Sequence, residues 1–258
     1  MMIFDTHAHY DDEAFAEDGD ALIASLPRNG IGNVVNVCAS IESLDRIIPM
    51  TEKYAHLWGA VGVHPDYAEE MTEGTLEKVR AVSRHEKILA IGEIGLDYYW
   101  HKEENEHRRQ QEMFLAQMDI AREEQLPFMI HSRNAADDTL RIIKEYMKSG
   151  MYGGILHCYS YGMEHAREYL DMGLYLGIGG VVTFRNGRKL KEVVQMAPLE
   201  QLVLETDCPY LAPEPYRGKR NSSLNLPYVA AAIAELKGIT AEEVIETTCE
   251  NAKKLLGV

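Results

Sequence analysis

Short apolar runs alternate with longer stretches of helical periodicity along the whole chain, and this alternation constrains the fold more than any other feature. The apolar runs span residues 2–9, 33–40, 57–64, 88–96, 127–131, 154–157, 174–182 and 202–207. Helical patterns between and after them include 43–54, 75–84, 106–124, 139–148, 163–170, 188–196, 226–236 and 241–256, the last with Thr240 as its N-cap. Near-continuous apolar strands imply a sheet covered on both faces. Eight strands with intervening helices predict a parallel sheet closed into a (β/α)8 TIM barrel, an α/β fold. At 258 residues the chain is long enough for one such core. No Gly-, Ser- or Pro-rich linker divides it, so residues 1–258 read as one barrel domain.

Polar residues cluster where the strands end. Five of the ten histidines, His7, His9, His64, His131 and His157, close predicted strands. Glu93 and Asp207 lie at two further strand ends. In a barrel these ends open on one face, where barrel enzymes keep their active sites. His56, His85, His101, His107 and His165 fall in helices or loops and read as solvated surface residues.

Residues two apart on a strand face the same side, so Asp5, His7 and His9 are expected to face the barrel axis. A chance H-x-H arises roughly 0.4 times in such a chain, so the motif alone carries little weight. A polar-loop pair of histidines does not explain the other ligand types at other strand ends. Glu93, within AIGEIGLDYYW, is costly in so apolar a strand unless it is paired or metal-bound; a salt bridge is the plainer alternative. His131 and His157 taken singly read as satisfied core histidines, and only the set argues for ligands. His7, His9, Glu93, His131, His157 and Asp207 form a mixed N/O set suited to Zn²⁺, Mn²⁺, Fe²⁺ or Co²⁺, with Mg²⁺ where histidine is spared. Six ligands exceed one tetrahedral site, and two divalent metals bridged by Glu93 use them all. Such a pair suits hydrolysis at phosphorus by an activated water, with Asp207 as ligand and general base. Glu205, two residues back on the same face, stands behind the ligands. Alternation turns Cys158 and Cys208 toward the helices, and excludes Ser132 as a nucleophile on the metal face. Nucleophile-elbow, Walker and dinucleotide-binding motifs are absent.

Charge and cysteine usage narrow the partners. A net charge of −15 disfavours a broad basic nucleic-acid face. Residues 11–20 hold six acids and no base, whereas 185–220 hold seven bases against five acids, which leaves a modest positive rim. Arg133, just after His131, is placed to hold a phosphate or to make a surface ion pair. Tyr98, Tyr99, Trp100, Tyr159 and Tyr216 are candidates for base stacking, although loop packing explains at least half of them. Four scattered cysteines without a C-x-x-C read as reduced cytoplasmic thiols. No apolar run reaches membrane-span length, and the first residues do not read as a secretory signal. No obligate protein partner is evident.

The segments DTHAHYDD, GVHPDYA, GEIGLDYYW, HSRNA, LHCYSYG and ETDCPYLAPEPYRGKRN, in this order and spacing, resemble the TatD family of metal-dependent deoxyribonucleases, among the amidohydrolase-like barrels. The resemblance spans essentially the whole chain. It implies a (β/α)8 barrel and divalent metals held by His7, His9, Glu93, His131, His157 and Asp207. It further implies a 3′→5′ exonuclease or related DNase acting on single-stranded DNA or 3′ ends. His64 matches a family position associated with substrate contact. Glu93 stands where many amidohydrolase relatives carry a carbamylated lysine. The chain departs from the common family form at Ser222 and Ser223, which follow RGKRN in place of Glu-Pro. Two other classes share the same site: a metal-dependent amidase, lactonase or aminoacyl-ester deacylase, and a non-enzymatic metal-stabilised binding protein.

Overall fold

The computed structural model describes residues 2–150 and 153–258. Eight strands, β1 (Ile3–Ala8), β2 (Ile31–Val37), β3 (Leu57–Val61), β4 (Ile88–Asp97), β5 (Phe128–Arg133), β6 (Gly154–Leu156), β7 (Tyr175–Ile178) and β8 (Leu202–Leu204), pair in parallel in sequence order. A parallel bridge between Ala8 and Cys208 joins the two edges. The expected barrel is therefore present, with helices α1 (Gly19–Ser25), α2 (Ser43–Glu52), α3 (Glu73–Ser83), α4 (Glu104–Glu123), α5 (Ala136–Lys148), α6 (Met163–Asp171), α7 (Arg188–Met196), α8 (Leu226–Lys237) and α9 (Ala241–Leu256) around it. Among the described residues no helix is long and apolar enough to cross a membrane.

Alternation along the strands builds two apolar layers. Leu57, Ile91, Phe128, Ile130 and Leu204 pack outward with Ile47, Val79, Phe114 and Ile142 of the helices. Phe4, Val35, Val37, Met129, Ile155 and Val203 form a smaller cluster inside the barrel, closed below by Cys249, Ala252 and Leu256 of α9. Each such buried aliphatic or aromatic side chain contributes about 1.5–3 kcal/mol relative to exposure. The same period then makes the upper interior polar. His131 lies two residues beyond Met129, His157 two beyond Ile155, and Glu205 two beyond Val203.

Of the register shifts in the barrel, two lie beside the site and adjust that period. Asp5 pairs with Val34 but Ala8 with Asn36, so β1 gains a residue between them. Ile91 pairs with Phe128 but Ile94 with Ile130, so β4 gains one around Glu93. Such bulges commonly re-aim side chains beside active sites. The first overturns the expectation for Asp5. It shares no face with His7 and His9 but turns outward, where it accepts hydrogen bonds from Thr206 N and Oγ1, Ser223 Oγ and His7 N. Burial pushes its carboxyl up to about 7 against those four bonds. Ser223, at the departure from the family form, is thus a structural partner of Asp5 and of the Tyr10 hydroxyl.

Several strands end earlier than alternation suggests. β6 stops at Leu156 and β8 at Leu204, so His157 and Asp207 sit on the turns just beyond. The helix α1, within the acidic stretch after β1, has no counterpart among the sequence patterns; at seven residues it is too short for a periodic signal.

Candidate metal centre

All six candidate ligands converge at the C-terminal mouth of the barrel. Glu93 is the hub. Its Oε2 lies 3.4 Å from His7 Nε2 and 3.6 Å from His9 Nε2. Its Oε1 lies 2.8 Å from His131 Nδ1, 3.5 Å from His157 Nε2 and 3.7 Å from His64 Nε2. Asp207 Oδ1 closes one side, 3.3 Å from His9 Nε2, 3.8 Å from His157 Nε2 and 4.0 Å from His7 Nε2. The donor atoms form two separate groups, His7–His9–Asp207 and His64–Glu93–His131, each compact enough for one ion.

The chemistry of these atoms fits cations. His9 Nδ1 lies 2.9 Å from the Val37 carbonyl, which only accepts, so Nδ1 carries a proton. This aims His9 Nε2 at His7 Nε2, 3.1 Å away. Two imidazole nitrogens and two acceptor-only carboxylates facing one space need a positive centre between them. Without a cation, protons take that role. Burial works against charge on His9, but the bond to Asp207 and the charges of Glu93 and Asp207 outweigh it and push its pKa up to about 10. His131, opposed by burial but bonded to Asp97 and Glu93, rises to about 9. His157 also rises to about 9, against burial, through the charges of Glu205, Glu93 and Asp207. Burial and the neighbouring His157 hold His7 down to about 4. Burial opposes ionisation of Glu93, but the charges of His157, His64 and His7 hold it well below the usual carboxylate range.

Behind the ligands lies a layer of acceptors. His7 and His157 stack at 3.5 Å with 17° between their planes, and their Nδ1 atoms are buried without partners. Glu205 faces them. Its Oε1 accepts the Cys158 N–H at 2.6 Å and lies 3.3 Å from His157 Nδ1, while its Oε2 is buried and unpartnered. Gly177 makes this position available: a Cβ there would meet Glu205 Oε2 at 2.1 Å. Asp97 plays a similar part on the other side. Its Oδ2 lies 3.1 Å from His131 Nε2, and its Oδ1 accepts the Tyr99 and Trp100 N–H groups. Sequence reasoning missed Asp97, although its place four residues beyond Glu93 on one strand was the available signal.

The remaining candidates divide. His64 reaches the site: Asp66 N–H donates to its Nδ1 at 3.2 Å, which leaves the Nε2 proton directed at the mouth. Arg133 does not join the cluster. It is exposed on the rim with its guanidinium 4.0 Å from the Tyr99 ring centre, and no described carboxylate pairs with it. Ser132 turns to Thr139 and Tyr161, as alternation requires. Cys158 corrects the expectation. Its backbone takes φ of 44° beyond the end of β6, and its thiol groups with His157 and Asp207 instead of facing the helices. The five histidines read as solvated are all half-buried; His107 stacks on Tyr98 and bonds to the His101 carbonyl. Tyr159 is buried packing and not a free platform.

A parallel barrel whose mouth gathers imidazoles and carboxylates around one buried glutamate belongs to the class of metal-dependent hydrolases. The family model described as TatD related DNase matches residues 4–257, and the chain belongs to that family. It is similar to the uncharacterized metal-dependent hydrolase YabD of Bacillus subtilis, 43% identical over all of both chains. It is also similar to YcfH of Escherichia coli, another uncharacterized metal-dependent hydrolase, 34% identical over 100% of this chain and 97% of that protein. The crystal structure of YJJV, a TATD homolog from Escherichia coli, superposes with a TM-score of 0.91 at 28% identity, covering 99% and 98% of the two chains.

Proposed function

We propose that the protein is a divalent-metal-dependent deoxyribonuclease that hydrolyses phosphodiester bonds from the 3′ ends of single-stranded DNA. The observation that carries this reading is the division of ligands about Glu93, with His7 and His9 on its Oε2 and His131 and His157 on its Oε1. A carboxylate shared in this way suits a bridge between two cations. His7, His9, Glu93 and Asp207 would hold one ion, and Glu93, His131 and His157 the other. When bound, divalent ions supply Lewis-acid stabilisation of phosphoryl charge and a nucleophilic water at neutral pH.

The chain's own groups supply the rest. Asp207 is the more open of the two carboxylates, with its side chain 17% exposed against 5% for Glu93, so it is placed to accept the proton of the attacking water. His64, with its proton on Nε2, donates to a phosphoryl oxygen at the mouth. Arg133, without an ion-pair partner, takes a neighbouring phosphate on the rim. The family's description as DNases supports DNA as the substrate.

End-labelled single-stranded DNA, digested with Mn²⁺, Mg²⁺, Zn²⁺ or Co²⁺, tests the proposal. Stepwise shortening of a 5′-labelled strand from its 3′ end is expected, abolished by a chelator. Asp207→Asn and Glu93→Gln are expected to cost about a thousandfold or more in rate with circular dichroism unchanged. Metal-dependent digestion at near-normal rate in either variant would remove the assignment.

A further inference from the structure

We infer that the loops after β7 and β8 form a single rigid platform that binds the sugar–phosphate backbone of a single strand leaving the metal centre. The inference rests on the nuclease reading above and adds the path of the substrate. Two structural observations carry it.

The first is the distribution of charge around the mouth. After β1 the chain presents Asp11, Asp12 and Glu13; after β3 it presents Asp66, Glu69 and Glu70. A polyanion is repelled from both sectors. The β7–β8 sector is the reverse. Arg185, Lys189 and Lys219 are exposed, and no described carboxylate pairs with any of them. The acids of this sector are already engaged: Glu192 by Arg188 at 2.8 Å, and Glu214 by Arg217 at 4.0 Å. Lys189 also lies in the first turn of α7, which holds no acidic residue. Bases at the positive end of a helix dipole oppose its stability. A charge pattern that works against the helix is explained by an anion bound over it.

The second is that the two loops are built as one body. Glu214 N–H donates to Thr183 Oγ1 at 2.8 Å, and the Arg217 guanidinium covers the Phe184 ring at 4.2 Å. The backbones approach so closely that a Cβ on Gly180 would meet the Leu211 carbonyl at 2.0 Å. The β8 loop is tied at both ends to the site. Tyr210 N–H donates to the Asp207 carbonyl, and the Asn221 side-chain amide donates to the Thr206 carbonyl, each at 2.9 Å. Tyr216 on this loop and Tyr228 in the first turn of α8 stand edge to face at 5.4 Å, with Tyr228 exposed. Unpaired cations and an open aromatic face on one rigid support are the parts that bind a single strand without reading its sequence. The support begins at Asp207 itself, so a strand with its terminus at the metals runs directly onto it.

Fluorescence anisotropy with a labelled single strand of about eight nucleotides, beside kcat/KM for that strand and for a dinucleotide, tests the path. The variants are Arg185→Glu/Lys189→Glu, Lys219→Glu, and, as control, Lys254→Glu on α9 at the opposite end of the barrel. The platform variants are expected to weaken binding of the longer strand by about tenfold or more, through KM and not kcat, with a smaller effect on the dinucleotide. Lys254→Glu is expected to change neither. Equal losses in the control, equal losses on both lengths, or unchanged affinity in the platform variants overturns the path while DNA hydrolysis stands. A wild-type protein that neither binds nor cuts DNA removes the nuclease reading, and the platform with it.

Discussion

At the scale of residues, the centre depends on which nitrogen of each imidazole faces inward. His157 presents Nε2 to Glu93 at 3.5 Å and Nδ1 to Glu205 at 3.3 Å, and His7, stacked on it, presents Nε2 to the other oxygen of Glu93. Once Nε2 of His157 is a ligand, its Nδ1 must carry the proton, and Glu205 is the acceptor beside it. Replacing Glu205 by Gln is expected to lower metal affinity about 10–100-fold with the fold retained, as measured by equilibrium dialysis. An unchanged affinity would return Glu205 to a purely structural role. Protons and cations also compete for the same nitrogens. In the metal-free protein the neighbouring carboxylates push His9 up to about 10 and His131 and His157 up to about 9, which favours their protonated forms at pH 7. Metal loading at pH 7 is therefore expected to release more than one proton, and affinity to rise as pH climbs toward 9–10 and fall as pH drops. Calorimetry in buffers of different ionisation enthalpy reads that number directly. Loading without proton release would mean that the imidazoles are neutral before the ion arrives.

At the scale of elements, the sequence carried the strand order and the interior period, because parallel strands buried on both faces leave an unbroken apolar signature. The convergence of His131 and His157 followed from that period and the barrel together. What it concealed were departures from the period. The extra residues in β1 and β4 come from pairing register, which no single strand records; the first turns Asp5 away, and the second brings Glu93, two residues beyond the outward Ile91, to the inner face. Cys158 was misplaced because β6 ends before it, and a rule for strands says nothing of a residue at φ of 44°. Asp97 lay in plain view, but its value depends on His131 of the neighbouring strand. Gly177 shows how an element without a functional side chain serves the site. Gly177→Ala is expected to displace Glu205, costing about 1–3 kcal/mol in chemical denaturation through overpacking, together with a fall in metal affinity. Gly162→Ala, where a Cβ meets open space, is the matched control. Equal behaviour of the two variants would deny β7 its part in the centre.

At the scale of the whole molecule, the site coincides with the seam of the barrel. β1 pairs along its length with β2, and β8 with β7, while the two edges meet chiefly at the Ala8–Cys208 bridge and its flanking bonds. Those bonds run from His9 N–H to the Cys208 carbonyl and from Asp207 N–H to the His7 carbonyl, each at 2.9 Å. His7 and His9 lie on one side of the closure and Asp207 on the other, so an ion held by all three joins the first strand to the last. Ligand linkage then adds to global stability, about 2.7 kcal/mol at a hundredfold excess of metal over Kd. For a chain of this size that corresponds to a Tm shift of about 5–10 °C. The distribution of the effect is the sharper test. Chelation is expected to speed amide exchange at His9, Asp207 and Cys208 while leaving Gly59 of β3 and Ile91 of β4, bonded to the Lys87 and Pro127 carbonyls, protected. Exchange that accelerates evenly around the barrel would show that metal stabilises the molecule without closing its seam.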